Sequence, residues 1–145
     1  MRNASRASAV LLLIAVAAAA ANVDASPYGE WRGRAQFGAK IDSIADPDAH
    51  AVTDLKIVVD SGGKVWGESA GNGCKASGLL RSGRIKRIFE LDVTLSGCKY
   101  RGLNRRYAGR LAIDPAKNYA SFSLHNLDLR NASTYIYDVK ATLRR

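Results

Sequence analysis

The heptad Gly73-Cys74-Lys75-Ala76-Ser77-Gly78-Leu79 recurs 24 positions later as Gly97-Cys98-Lys99-Tyr100-Arg101-Gly102-Leu103. The two copies hold both cysteines of the 145-residue chain. Each copy reads as a loop-to-strand corner, and a disulfide between Cys74 and Cys98 joins the corners. One cysteine pair without histidine neighbours is too few ligands for a closed zinc site. The spacing is also not the C-x-x-C of a redox centre. Closing a loop of this size stabilises a fold by about 3 to 4 kcal/mol on the chain-entropy account.

A structural disulfide implies an oxidising compartment, and the amino terminus agrees. Met1 to Ser8 carries Arg2 and Arg6 and no acid, and Val10 to Ala21 is an unbroken apolar run of twelve residues. That is a charged segment followed by a run too short to span a bilayer, the pattern of a secretory signal peptide rather than a retained anchor. Val23 and Ala25 place small residues three and one positions before Ser26. The expected division is therefore a signal peptide over residues 1–25 and a single domain over residues 26–145, exported to a periplasmic or extracellular location. About 120 residues suit one core and are too few for two.

Within residues 26–145 the apolar residues recur with a period close to two. The first strand, Tyr28 to Phe37, puts Gly29, Trp31, Gly33, Ala35 and Phe37 on one face and Glu30, Arg32, Arg34 and Gln36 on the other. Gly38 to His50 carries Asp42, Asp46, Asp48 and no strand pattern, and is expected to be a long loop and candidate lid. Its acids lack the spacing of a calcium loop and read as a solvated turn cluster. Further strands are expected over residues 52–60, 64–70, 74–81, 87–95, 105–114, 119–126 and 134–143, joined mainly by short turns such as Asp60-Ser61-Gly62-Gly63.

Eight strands with one apolar face each predict an all-β fold, an eight-stranded antiparallel up-and-down barrel with one disulfide. Closure removes the exposed edges that an open sheet must protect. In a meander the connections after strands one, three, five and seven lie at one end. Cys74 falls in the third connection and Cys98 in the fifth, so the topology brings them to the same rim. The Gly38–His50 loop and residues 127–133 fall at that rim as well. An immunoglobulin-like sandwich is the alternative arrangement, although the expected Cys, Trp, Cys order fails because Trp66 precedes both cysteines.

Gly29-Glu30-Trp31, at the start of the first strand, resembles the G-x-W signature of the calycin-like barrels, the lipocalins, avidins and their relatives. The resemblance implies that Trp31 packs at the closed end of the barrel beneath a basic residue of the last strand, here Lys140 or Arg144. It further implies that the long first connection borders an open mouth. The T-D-Y motif of lipocalins is absent, with Asp114-Pro115 in its place, so the resemblance extends to the fold and not to lipocalin-type transport.

The chain carries 22 Lys and Arg against 13 Asp and Glu, a net charge of +9. Ten of the basic residues lie between Lys75 and Arg110, where the only acids are Glu90 and Asp92. This sector attracts anionic partners, and in an exported protein those are an acidic protein or an anionic envelope component such as lipid headgroups. Export and the lack of any recognisable motif argue against nucleic acid. The expected contact residues are Lys75, Lys99, Tyr100, Arg101, Arg105, Arg106 and Tyr107, which set cations and aromatics on the disulfide rim.

Catalytic groups do not converge in the sequence. Ser121, Ser123 and His125 share the outward face of one strand without a nucleophile elbow, and Glu30, Glu68, Glu90 and Asp92 all take outward positions. No cofactor or metal is expected. The reading is a non-enzymatic binding protein that engages a protein or an anionic macromolecule through its basic rim; an inhibitor or immunity protein directed at an exported hydrolase is one concrete form. The alternative is a carrier of a small apolar ligand. Eight strands enclose room for one small ligand at most, and Trp31, Phe37, Phe89, Phe122, Tyr135 and Tyr137 are available to fill it.

Overall fold

In a computed structural model, which describes residues 26–145, strand β1 (Gly29–Ile41) is shared between two neighbours. It pairs with β3 (Ala51–Val59) from Gly29↔Val59 to Phe37↔Ala51, and with β9 (Ser133–Arg144) from Arg32↔Arg144 to Ile41↔Tyr135. The second pairing closes the sheet. Between them run β4 (Lys64–Ser69), β5 (Lys75–Ser82), β6 (Ile88–Ser96), β7 (Arg106–Asp114) and β8 (Tyr119–Arg130), each antiparallel to the next. The result is the closed eight-stranded antiparallel barrel expected from the alternation, with a two-residue β2 (Ile44–Ala45) folded back on the end of β1. The expected signal peptide, residues 1–25, lies outside the described residues.

Alternate positions on every strand point inward and are buried, including Trp31, Ala35 and Phe37 on β1, Leu55, Ile57 and Val59 on β3, and Leu91, Val93 and Leu95 on β6. Trp31, Phe37, Tyr107, Phe122 and Tyr137 are the bulky residues of this interior, and Phe89 and Tyr135 pack against it. An eight-stranded barrel leaves an interior that side chains alone can fill, and here they do. Burial of this apolar surface is the main stabilising term.

At one end, where the chain enters β1, the Trp31 indole N–H donates to the Pro27 carbonyl at 2.8 Å. The cation over its ring is Arg145, with the guanidinium carbon 4.4 Å from the ring centroid. Neither Lys140 nor Arg144 takes that place. Lys140 points out from the barrel wall opposite Gln36, and Arg144 reaches toward Tyr119. Both belong to the outward set of β9 alternation, whereas Arg145 follows the last strand residue and folds under the barrel floor, with Nη1 donating to the Tyr28 carbonyl at 3.3 Å.

At the other end, two expected loops are instead hairpins. β1 runs on to Ile41, turns through Asp42 and Ser43, and returns as β2; β8 runs to Arg130, turns through Asn131 and Ala132, and returns as β9. All four turn residues have positive φ, 49° and 69° in the first pair and 50° and 64° in the second. Such consecutive left-handed residues suit two-residue hairpins because their twist matches that of the flanking strands. The tips are tied together: the Asp42 N–H donates to the Thr134 carbonyl, and the Thr134 N–H to Asp42 Oδ1, both at 2.8 Å. Asp46 N–H also donates to the Ala39 carbonyl at 2.9 Å. Within the expected lid, residues 38–41 and 44–45 thus belong to the sheet, and residues 47–49 form a turn.

Strand packing is tightest where a residue facing inward lacks a side chain. A Cβ at Gly109 would overlap the Ser123 carbonyl oxygen on β8, whereas one at Gly38 would meet nothing within 4 Å. Gly109→Ala is therefore expected to lower stability by about 1 to 3 kcal/mol, the cost of overpacking a core. Gly38→Ala should stay within about 0.5 kcal/mol. Urea-denaturation midpoints of the two variants check this; equal midpoints would show that the strands can part at Gly109 at no cost.

Candidate functional site

The rim at the mouth is built on the two glycine–cysteine corners. Cys74 and Cys98 form the disulfide, and both sulfurs belong to buried residues. Gly73 and Gly97 have φ of +74° and +70°, and each faces the other's carbonyl oxygen. A Cβ on Gly73 would lie 3.0 Å from the Gly97 oxygen, so the corners approach this closely only as glycines. The bridge is extended by the Lys99 N–H, which donates to the Asn72 carbonyl at 2.9 Å.

After the cysteines the two copies of the repeat part company. The first continues as β5, paired on both sides. The second leaves the sheet, makes a single 3-10 turn at Arg101–Leu103 and folds over the barrel mouth. Asn104 Oδ1 accepts the Cys98 N–H at 2.9 Å, and Leu103 is buried. Tyr100 crosses the mouth and donates its hydroxyl to Asp46 Oδ2 at 2.6 Å. The stopper of the barrel is this segment, Tyr100 to Asn104.

Of the residues expected to make contact, several hold this stopper in place. Arg105 is half-buried: its Nε donates to the Gly102 carbonyl at 2.6 Å, its Nη1 pairs with Asp128 Oδ2 at 2.9 Å, and its guanidinium lies 4.0 Å from the Tyr137 ring centroid. Tyr107 points inward, is buried, and donates its hydroxyl to the Leu103 carbonyl at 2.8 Å. A buried ring presents nothing to a partner; the alternation of β7 puts Tyr107 on the core side. Burial raises its pKa above the ordinary tyrosine range. The Tyr100 pKa is pushed up to about 12, first by the hydrogen bond to Asp46 and then by burial.

The remaining cations are exposed but mostly engaged. Arg106 pairs through two nitrogens with Asp92 on β6, which holds the Asp92 carboxyl below and the Arg106 guanidinium above their ordinary pKa values. Lys75 stands directly opposite Glu68 on β4, and Lys99 Nζ donates to the Gly71 carbonyl at 3.2 Å. Arg101 is exposed at the start of the 3-10 turn. The sector of like charge in the sequence is thus divided by cross-strand pairing, since Glu90 and Asp92 on β6 fall between the cations of β5 and β7.

A different feature of the mouth has no precedent among the expected contacts. β8 and β9 continue past the end of the β7–β8 pairing, whose last pair is Ala108↔His125. With β1 and β2 they form a four-stranded flap, order β2-β1-β9-β8, standing above the rim. Among the described residues no strand pairs with Leu127–Arg130 on the side away from β9. Leu127 and Leu129 sit on the outer face of that edge at 62% and 71% exposure, with Ile136 beside Leu127. The signal was present in the sequence as Leu127-Asp128-Leu129, an alternation continuing past the expected strand end.

One cleft lies between Gln36, Phe37, Lys40, His50, Asp138 and Lys140. On the outer face of β8, His125 is opposite Asp138 and two residues from Ser123, but it hydrogen-bonds neither. Among the described residues no group of three His, Cys, Asp or Glu side chains is placed to hold a metal.

Two outcomes follow for the mouth. Arg105→Ala should cost about 1.5 to 3 kcal/mol, because it leaves the Gly102 carbonyl without its charged donor and Asp128 with Arg130 alone. Lys99→Ala and Arg101→Ala should each stay within about 0.5 kcal/mol. Equal thermal midpoints for all three would show that the stopper does not depend on Arg105. Tyr100 binds its proton more tightly folded than unfolded, so its contribution is whole below pH 10 and is lost as pH rises toward about 12. Tyr100→Phe should therefore lose less stability than the parent between those pH values; parallel curves would contradict the coupling.

No protein-family model matches the chain, and no curated protein matches it in sequence. In fold it is similar to the vaccine antigen transferrin-binding protein B of Haemophilus parasuis Hp5, seen as the crystal structure of a double mutant. The TM-score is 0.51 at 12% identity, over 85% of this chain and 27% of that one. The chain thus spans about a quarter of the neighbour's length, and the likeness is one of barrel fold.

Proposed function

We propose that this chain is an exported, non-enzymatic binding protein that engages a protein partner through the flap and stopper at its mouth. The observation that carries the reading is the unpaired edge of β8, Leu127–Arg130, with Leu127 and Leu129 exposed on its outer face. Unpaired strand edges with exposed apolar side chains are templates for a further strand, and soluble proteins usually cover, shorten or charge them. An extended segment of a partner would gain backbone hydrogen bonds along the edge, and its alternate side chains would cover the two leucines.

Other features support the same reading. The interior is filled by Trp31, Phe37, Tyr107, Phe122 and Tyr137, which favours recognition on the outside over carriage of a small ligand. Asp128 and Arg130 on the inner face of the edge are tied to Arg105, Tyr135 and Tyr137, so the edge is ordered before any partner arrives. The neighbour in fold is by name a transferrin-binding protein, and this chain matches about a quarter of it. The disulfide accords with export.

The test is capture from the exported fraction of the source cells. Wild-type protein is expected to retain a stoichiometric protein that Leu127→Asp with Leu129→Asp loses by at least tenfold, with the melting temperature unchanged. A partner held equally by both forms would place the binding surface elsewhere.

A further inference from the structure

A cluster of cations lies at the end of this barrel opposite the mouth. On the wall, Arg34 pairs with Asp54 and Arg106 with Asp92, and Glu90 stands between Arg81 and Arg110 in the cross-strand register. At the closed end the β5–β6 turn carries Arg84, Lys86 and Arg87, all exposed and, among the described residues, in no ion pair. Lys64, Lys117 and Arg144 lie at the neighbouring strand ends and turns of the same end. Asp60 and Asp114, acids of the same end, are held on the backbone and form no ion pair with these cations. Asp60 Oδ1 accepts the N–H groups of Gly62 and Lys64, and Asp114 Oδ1 that of Ala116.

At the tip of the same turn, between Arg84 and Lys86, Ile85 is 64% exposed. The turn is held in shape: Gly83 N–H donates to the Ile88 carbonyl, Ile88 N–H to the Ile85 carbonyl, and Ile113 N–H on β7 to the Arg87 carbonyl at 2.8 Å. An aliphatic side chain is therefore presented to solvent by an ordered backbone, ringed by cations.

We propose that the closed end docks on an anionic phospholipid surface, with Arg84, Lys86 and Arg87 on the headgroups and Ile85 entering the interface between headgroup and acyl chain. A soluble polyanion would take the cations and leave Ile85 in water, whereas a bilayer takes both. The compensated wall confines the attraction to this end, so docking sets the barrel axis across the membrane plane and turns the mouth away from it. The inference rests on the closed end alone and does not depend on what the mouth binds.

Co-sedimentation of the oxidised protein with vesicles at physiological salt tests it. Binding is expected to mixed phosphatidylglycerol–phosphatidylcholine vesicles and not to phosphatidylcholine alone. Arg84→Glu, Lys86→Glu and Arg87→Glu together should weaken it at least 100-fold, at about fivefold for each cation lost. Ile85→Ala, with every charge kept, should weaken it about tenfold. No sedimentation with the anionic vesicles would overturn the proposal. So would Ile85→Ala binding as well as wild type, and tight capture of soluble polyphosphate by both would then assign the end to polyanions. Unchanged melting temperatures of the variants show that folding is not what is being read.

Discussion

The pairing of β1 with β9, from Arg32↔Arg144 to Ile41↔Tyr135, is the contact on which everything else here depends. It turns a meander into a barrel and so fixes which residues face inward on all eight strands. It also fixes how much room they have. With eight strands the lumen is about as wide as the side chains that line it, and the aromatic residues at Trp31, Phe37, Phe122 and Tyr137 occupy it. Both ends are then stopped from within the chain. Trp31 closes one under Arg145, and the Tyr100–Asn104 segment closes the other through Leu103 and the hydroxyl of Tyr100. A barrel stopped in this way offers a partner its outer surfaces.

Those surfaces are chemically distinct. The wall is a set of cross-strand pairs in which strong local attractions leave little long-range field. The mouth carries a raised flap with an open strand edge and two exposed leucines. The closed end carries uncompensated cations around Ile85. The disulfide belongs to the mouth: it locks the two corners from which the stopper and β5 depart, and so holds the flap's neighbour, Arg105, at the distance its contact with Asp128 requires. On this account Cys74 and Cys98 act on recognition by ordering the rim rather than by touching a partner.

Strand alternation was readable in the sequence wherever one face was uniformly apolar, as in Leu55, Ile57 and Val59 or in Leu91, Val93 and Leu95. From the order of those strands the joining of Cys74 to Cys98 at one rim followed as a matter of connectivity. The hairpin tips were not readable, because Asp42-Ser43 and Asn131-Ala132 take left-handed backbone without the glycine that normally marks such a turn. An alternation read without those turns ends β1 and β8 too early and places Leu127 and Leu129 in a loop. The repeat misled in a related way. Its Gly–Cys corner is structural, but Tyr100 and Leu103 of the second copy have a mouth to fill and their counterparts Ala76 and Leu79 of the first do not. Nor does a linear count of charge show that Asp92 and Glu90 lie between the cations of β5 and β7 in space, or that Arg105 and Tyr107 turn toward the core.

The central claim is that the interior is occupied by the chain's own side chains and that recognition is external. Native mass spectrometry of the oxidised protein, purified from its own host without an unfolding step, tests this most directly. The account predicts the mass of the polypeptide, less the two hydrogens lost to the Cys74–Cys98 bond, by itself or with a protein partner and with no small molecule added. A compound of a few hundred daltons that stays with the protein until it unfolds would contradict it, since such a molecule could be held so tightly only inside the barrel.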